Sequence, residues 1–333
     1  MAAAVPEWRL ARVMEGYVTT QLLCVAAKLG IPEVLAAGSR TGAQVAEAVG
    51  ADPAAVTRVL RGLAVEEVVD ELEDERFALT GLGQALASLE GPIIVRGELY
   101  YRAAAGLLDA VREGGTAFER VYGERFFDHL EHHPDHEAAF QASMAGRAER
   151  EAGDVVAAYD FTAVRRLVDV GGGRGVLLSA ILRAAPDLHG VLWDRPAAIP
   201  EARRRLDADG LGDRAECIAG DFFAGVPAGA DAYLLSRVIH DWEDDDAVRI
   251  LATCRAAMTE RARLLLVEAI LPERARERPD AIRMDLHMLI LLGARERTEA
   301  EFRRLLADAG LEPTRVLPTA SPAGLAVIEA TRV

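Results

Sequence analysis

Lysine is almost missing from this chain. Lys28 is the only one in 333 residues, and every other cation is arginine. Together with the abundance of alanine, this reads as the imprint of a GC-rich genome and not as a functional signal. Cysteine is scarce too. Cys24, Cys217 and Cys254 are odd in number and far apart, which argues against a CxxC-type zinc or redox site and fits reduced thiols in a cytoplasm. No apolar run approaches the roughly 20 residues that span a bilayer. Residues 1–9 (MAAAVPEWR) lack the basic start and apolar stretch of a secretory signal. The expectation is a cytoplasmic protein with no membrane partner. Basic residues are outnumbered, 38 against 53 acidic, for a net charge of −15. Such a protein is repelled by nucleic-acid backbones and by anionic membranes.

What is present allows two domains with real cores. The chain is organised around Leu167-Val168-Asp169-Val170-Gly171-Gly172-Gly173-Arg174-Gly175. A short apolar run ends in an acid and opens into glycines. Apolar residues then recur at helical spacing (Val176, Leu177, Leu178, Ile181, Leu182) up to Pro186. This is a strand, a tight turn and a helix start. Glycine permits positive φ and close ligand approach, and the helix N-terminus offers free N–H groups. Asp194 ends the next apolar run, where a carboxylate grips a ribose diol in dinucleotide-type folds. The spacing is not that of a dinucleotide site, however, because position 176 is Val where GxGxxG needs glycine.

Toward the N-terminus, residues 8–36 look like one helix, ended by Gly30-Ile31-Pro32. A second helical stretch covers residues 39–49, and Asp52-Pro53 opens a third that runs through Leu63. Residues 65–69 and 76–79 read as a small hairpin. Three helices and a hairpin make a winged helix, either a DNA-binding regulator or a winged helix reused for dimerisation. The candidate recognition helix carries only Arg58 and Arg61 as cations, and the chain is acidic, so the second reading is preferred. The apolar first helix suits a subunit interface.

Residues 96–160 look helical, with breaks near Gly114-Gly115 and Gly123. His129, His132, His133 and His136 lie there. His129 and His133 have i, i+4 metal-ligand spacing, but Pro134 interrupts and acids surround them, so a solvated helix end is expected. Phe140 and Met144, one turn apart, are either core or pocket lining.

From residue 165 strands alternate with helices: 165–170, 190–194, 215–221, 231–239 and 263–270. This is a parallel sheet with helices on both faces. Residues 312–318 and 325–331 read as a closing hairpin, so one terminal strand should run antiparallel. Ligands bind such sheets at the carboxyl ends of the strands. There stand Gly171–Gly175, Asp194, Asp221-Phe222, then Ser236, Arg237, His240, Asp241 and Trp242, and finally Glu268. Carboxylates and aromatics around one rim tolerate a sulfonium cation better than a dinucleotide phosphate. Asp244-Asp245-Asp246 invites a metal reading, but acids belong at a helix start and one begins there.

Four segments carry a resemblance over nearly the whole chain: Asp169–Gly175, Gly220–Phe223, Ser236–Trp242 (SRVIHDW) and Gly293–Thr298 (GARERT). The sequence resembles the small-molecule O-methyltransferases that use S-adenosyl-L-methionine and carry an N-terminal winged-helix dimerisation domain. That family includes plant caffeate and flavonoid enzymes and bacterial tailoring enzymes for polyketides and other aromatic antibiotics. The resemblance implies an α/β, Rossmann-like class I methyltransferase sheet, mostly parallel with a terminal antiparallel hairpin. It implies a dimerisation domain over residues 1–95, and a helical substrate-binding region plus cofactor-binding catalytic domain over residues 96–333. It also implies a homodimer.

Position by position, the resemblance gives Gly171 and Gly173 to the methionine end of the cofactor, Asp194 to the ribose, and Asp221 with Phe222 to the adenine. Ser236 stands at a polar cofactor contact, with Arg237 a weaker candidate. His240 matches a catalytic base, Glu268 and Glu296 match two carboxylates that flank and orient it, and Phe140, Met144 and Met288 match acceptor-pocket positions. No resident metal is implied. The chemistry agrees: methyl transfer from a sulfonium needs mostly positioning. A phenol of pKa near 10 can pass its proton to a neutral imidazole as it attacks, and a carboxylate fixes the tautomer and stabilises the imidazolium. Two positions depart from the family pattern. Ala294 and Glu66 stand where glycines are usual, the first expected to narrow the acceptor pocket and the second to matter only structurally. The leading expectation is O-methylation of a small aromatic acceptor in bacterial secondary metabolism. An N- or C-methyltransferase on the same scaffold and a winged-helix ligand-sensing regulator are the alternatives.

Overall fold

The computed structural model describes residues 6–333. The chain packs as two compact units, one ending at Met144 and the other running from Ala145 to Val333. By packing, the helices between residues 96 and 144 belong with the N-terminal unit, whereas the sequence grouped them by expected role with the catalytic part.

In the N-terminal unit the first helical stretch is not one helix. It breaks at Glu15 into Pro6–Met14 and Gly16–Lys28, and after Gly30 a short helix covers Ile31–Ala36. Helices Gly42–Val49 and Pro53–Val65 follow. Asp52 caps the latter, its Oδ1 accepting from the Ala55 N–H at 2.8 Å with Pro53 in the first turn. Strands Val69–Glu71 and Arg76–Leu79 form the hairpin, and Arg40–Thr41 adds a third, short strand. This is the expected winged-helix arrangement. Its core is Ala26, Ile31, Val45, Leu60, Leu63 and Phe77, with their neighbours. The region after it is helical, with turns at Gly114-Gly115 and Gly123 as expected.

The C-terminal unit is built on seven strands: β1 (Arg166–Val170), β2 (His189–Asp194), β3 (Ala215–Ala219), β4 (Ala232–Ser236), β5 (Arg263–Leu271), β6 (Leu311–Pro318) and β7 (Leu325–Arg332). Their spatial order is β6-β7-β5-β4-β1-β2-β3. The first five are parallel, and β7 pairs antiparallel with both β5 and β6. A two-residue strand, Arg297–Thr298, pairs with the end of β5.

Alternation along the strands feeds two cores. Leu167, Leu234, Leu265 and Val267 face one side, and Val168, Tyr233, Leu235, Leu264 and Leu266 the other. Strands apolar on both faces are what a sheet covered twice by helices requires. The order reverses between β1 and β4, and the crevice at such a switch point is where open α/β sheets bind ligands.

Candidate active site

At the end of β1 the chain turns through Gly171–Gly175. The Gly171 N–H donates to the Trp193 carbonyl at 2.7 Å, tying the turn to β2. Two glycines have specific causes. A Cβ on Gly172 would stand 2.6 Å from a carboxylate oxygen of Asp169 and 2.9 Å from Leu192. Gly173 has φ +56° and open space where a side chain would begin, so its backbone is free to meet a ligand. The Gly173 N–H donates to Asp194 Oδ2 at 2.8 Å, and the Arg195 N–H donates to Oδ1 at 2.6 Å. Asp194 is thereby fixed at the tip of β2, beside the turn.

Beneath the turn, Asp169 is buried and neither of its oxygens has a hydrogen-bond partner. Burial first, and the charge of Asp194 second, push its pKa up to about 7. Past β3, Asp221 is exposed and its Oδ1 accepts from the Phe223 N–H at 2.8 Å. Phe222 and Phe223 meet Trp242 edge-on, with ring centres 5.8 and 4.8 Å apart. The third and fourth strand ends therefore share one aromatic cluster.

Past β4 the backbone bends sharply at Arg237, whose φ is +56°. This ends the strand at Ser236, three residues short of the apolar run that suggested Ile239. Val238 then lies where a Cβ on Gly171 would meet it at 2.8 Å, so this loop packs on the glycine turn. His240 follows, 4% exposed, with Glu268 at 0% and Glu296 at 1%. The His240 Nδ1–H donates to Glu296 Oε1 at 3.0 Å, and Nε2 stands 3.3 Å from Asp241 Oδ1. Glu268 flanks His240, their donor atoms within 4.8 Å of one another, and it also holds backbone. Its Oε1 accepts from the Val238 and Ile239 N–H groups, at 3.1 and 2.8 Å, bracing the backbone that presents the histidine.

Burial works against charge on His240, but Asp241, Glu268 and Glu296 outweigh it and raise the pKa to about 9. Burial also pushes Glu268 up to about 7. Burial would raise Glu296 as well, but His240 and Arg237 prevail and hold it below the usual carboxylate range.

Arg237, a candidate cofactor contact from sequence, turns its guanidinium toward carboxylates. Nη2 donates to Glu151 at 2.7 Å and Nη1 lies 3.5 Å from Glu296. Ser236 is half-buried at the strand end. Met288 is buried on the helix Pro279–Leu291, one turn from Met284, whose sulfur accepts from Arg147. Phe140 and Met144 belong to the N-terminal unit's share of the helix Pro134–Ala158, where Phe140 packs edge-on against Phe126, with ring centres 5.2 Å apart. Ala294 is buried and lines a cleft with Glu243, Asp244, Asp245 and Arg295.

Sequence reasoning passed over Arg297. Fully buried, it donates to the carbonyls of Ile239 (2.9 Å) and Trp242 (2.7 Å) and to Asp244 Oδ1. It clamps the turn that carries His240. Asp244 is engaged by this clamp and by Arg295.

A model of the O-methyltransferase domain matches residues 105–312, and one of the O-methyltransferase dimerisation domain matches residues 11–88. The chain belongs to the O-methyltransferase family. Its curated relatives include the phenazine O-methyltransferase of Lysobacter antibioticus, 43% identical over 96% of this chain and 95% of that protein. They also include the 8-amino-8-demethylriboflavin N,N-dimethyltransferase of Streptomyces davaonensis, 36% identical over 89% of this chain and 88% of that one. Among solved structures, an O-methyltransferase of neocarzinostatin biosynthesis in complex with S-adenosylmethionine and 2-hydroxy-5-methyl naphthoic acid superposes with a TM-score of 0.82. It is 34% identical and covers 95% of this chain and 96% of that one. No helix among the described residues of this family member is long and apolar enough to cross a membrane.

Proposed function

We propose that this protein transfers a methyl group from S-adenosylmethionine to a phenolic hydroxyl of a small aromatic acceptor in bacterial secondary metabolism, with His240 as general base. One observation carries the reading. An imidazole tethered through Nδ1 to a buried glutamate stands on the strand-end rim, on a loop packed against the glycine turn.

The residues fit the cofactor. Asp169, Glu268 and Glu296 all keep buried carboxylate oxygens without hydrogen-bond partners, and these acids outnumber the rim guanidinium of Arg237. S-adenosylmethionine, when bound, supplies an electrophilic methyl group on a sulfonium cation. Asp194 would hold its ribose hydroxyls, Asp221 and Phe222 its adenine, and Gly171, Gly173 and Ser236 its amino-acid end. Arg237 is better assigned to holding Glu296 and Glu151 in place than to touching the cofactor.

The carboxylates of Asp241, Glu268 and Glu296 favour the protonated form of His240 in the ligand-free site. A cation entering this ring favours the neutral imidazole. Neutral His240 accepts the acceptor's hydroxyl proton at Nε2 as the oxygen attacks. Glu296 holds the tautomer and stabilises the imidazolium that results. Glu268 and Arg297 keep the loop from relaxing. Phe140, Met144 and Met288 are assigned to acceptor binding by the family resemblance.

The N,N-dimethyltransferase relative keeps an amine acceptor as the second reading. Turnover with isotopically labelled S-adenosylmethionine against paired phenols and anilines separates the two: methyl ethers support the proposal, and methylamines alone overturn it. The functional protein is a homodimer in this reading. It carries the dimerisation domain, and Trp8, Leu10, Val13, Met14 and Tyr17 expose apolar surface on its first two helices. A monomer in light scattering at micromolar concentration would contradict that.

A further inference from the structure

The histidine cluster of the N-terminal unit lies outside this chemistry. The helix Phe126–His132 ends, and Pro134 starts the next helix. The turn between them gathers His129, His132, His133 and His136. The expected solvated helix end is only partly found. His132 and His133 are exposed, but His129 is buried against the rings of Phe118 and Tyr122, 5.3 and 4.7 Å away.

We propose that Glu124, His129 and His133 form a binding site for one divalent transition-metal ion of the Zn2+ class. One donor atom from each lies within 4.8 Å of the other two. The imidazoles of His129 and His133 are stacked, with ring centres 3.8 Å apart and planes 17° from each other, so an ion held by both requires one ring to turn out of the stack. The His133 Nδ1–H donates to the His129 carbonyl at 2.8 Å. A carbonyl only accepts, so this bond fixes the tautomer and leaves the His133 Nε2 lone pair outward and free. Metal-binding histidines are oriented by such a bond on their other nitrogen. Glu124 reaches His129 Nδ1 at 2.8 Å through Oε1 and His132 Nδ1 at 3.0 Å through Oε2.

His136 Nδ1 lies 3.0 Å from His129 Nε2, which orients the buried ring from its far edge. Two imidazoles and a carboxylate are borderline ligands suited to Zn2+, Co2+ or Ni2+ and poorly suited to Ca2+ or Mg2+, which want oxygens alone. The competing role for the same residues is a hydrogen-bonded joint between two helices, which needs no ion.

The test uses untagged, chelator-treated full-length protein, with Zn2+ by calorimetry and Co2+ by visible absorption. The expected result is one ion per chain at micromolar or tighter affinity, with Co2+ ligand-field bands. His133→Ala, at an exposed position where folding is not at risk, and Glu124→Gln should each weaken Zn2+ at least about tenfold. His240→Ala should leave the affinity as it was, because that cluster lies elsewhere. Absence of saturable binding, an affinity that either first variant leaves unmoved, or a site lost with His240→Ala would each overturn the proposal.

Discussion

The two units each hold a histidine bonded through Nδ1 to a glutamate, and the pairs are nearly alike in length: His129 with Glu124 at 2.8 Å and His240 with Glu296 at 3.0 Å. Their surroundings differ in kind. Around His129 stand other imidazoles and aromatic rings, and Glu124 is partly open to water. Around His240 stand three carboxylates, two of them fully enclosed, at the carboxyl end of a parallel sheet. An imidazole among imidazoles offers lone pairs to a metal. An imidazole among buried carboxylates gains basicity and waits for a cation and a proton donor. The same pair of residue types takes different work from the fold that carries it.

The comparison breaks most readily at the catalytic pair. His240→Ala should lower kcat by about 10²- to 10⁴-fold, the usual worth of a positioned general base, while leaving cofactor binding nearly intact. Glu296→Gln should cost less, because the amide still orients the ring but no longer stabilises its charged form. Steady-state kinetics alongside calorimetric cofactor affinity check both. A loss of cofactor affinity equal to the loss of kcat would place His240 in binding and dissolve the contrast.

Next in size is the rim beside it. Asp194→Ala should weaken S-adenosylmethionine binding by about 1.5–3 kcal/mol, the cost of losing charged hydrogen bonds to a diol. The carboxylate also receives the Gly173 and Arg195 N–H groups, so part of the loss is turn geometry. Asp194→Asn, which keeps an acceptor there, should recover some of it. Unchanged affinity in calorimetry for the alanine variant would remove Asp194 from the site.

The smallest effect belongs to the exposed arm of the other pair. His132 shares Glu124 with His129, but its side chain is 68% exposed. His132→Ala should leave the urea unfolding midpoint nearly unchanged, as water-screened pairs do. A larger loss would mean that the helix junction is held from outside and not by the buried ring.

Much of this was legible in the chain, and what was not has physical reasons. The four inner parallel strands announced themselves as apolar runs each ending in an acid or a turn, because a strand buried on both faces has no polar side to blur it, while the edge strand β3 is only half-buried. The Gly171–Gly175 turn, Asp194 and His240 were legible because their places follow strand ends, whereas Glu296, which lies between a helix and a two-residue strand, came only from the family resemblance. Arg297 was not, since an arginine among RER reads as surface charge until three dispersed acceptors enclose it. The backbone contacts of Glu268 were hidden because they leave no pattern in sequence. The break at Glu15 had a signal that was passed over, since Gly16, a poor helix former, stands directly after it. His129 looked solvated from its acidic neighbours, but Phe118 and Tyr122, from an earlier helix, pack on its ring together with His133 and His136.

The central claim is that His240 removes the acceptor's proton, and pH tests it most directly. Its pKa lies near 9 in the ligand-free site, raised above the ordinary imidazole value. The base form is therefore lost as pH falls, and kcat/KM of the parent should climb from pH 6 toward pH 9. The His240→Ala variant lacks that base and depends on the acceptor ionising by itself, near pH 10 for a phenol. Measured from pH 6 to pH 10 with one phenolic substrate, the ratio of parent to variant kcat should be largest near neutrality and shrink toward alkaline pH. A variant with near-parental kcat at pH 7, or a ratio that stays constant across the range, would contradict general base catalysis by His240.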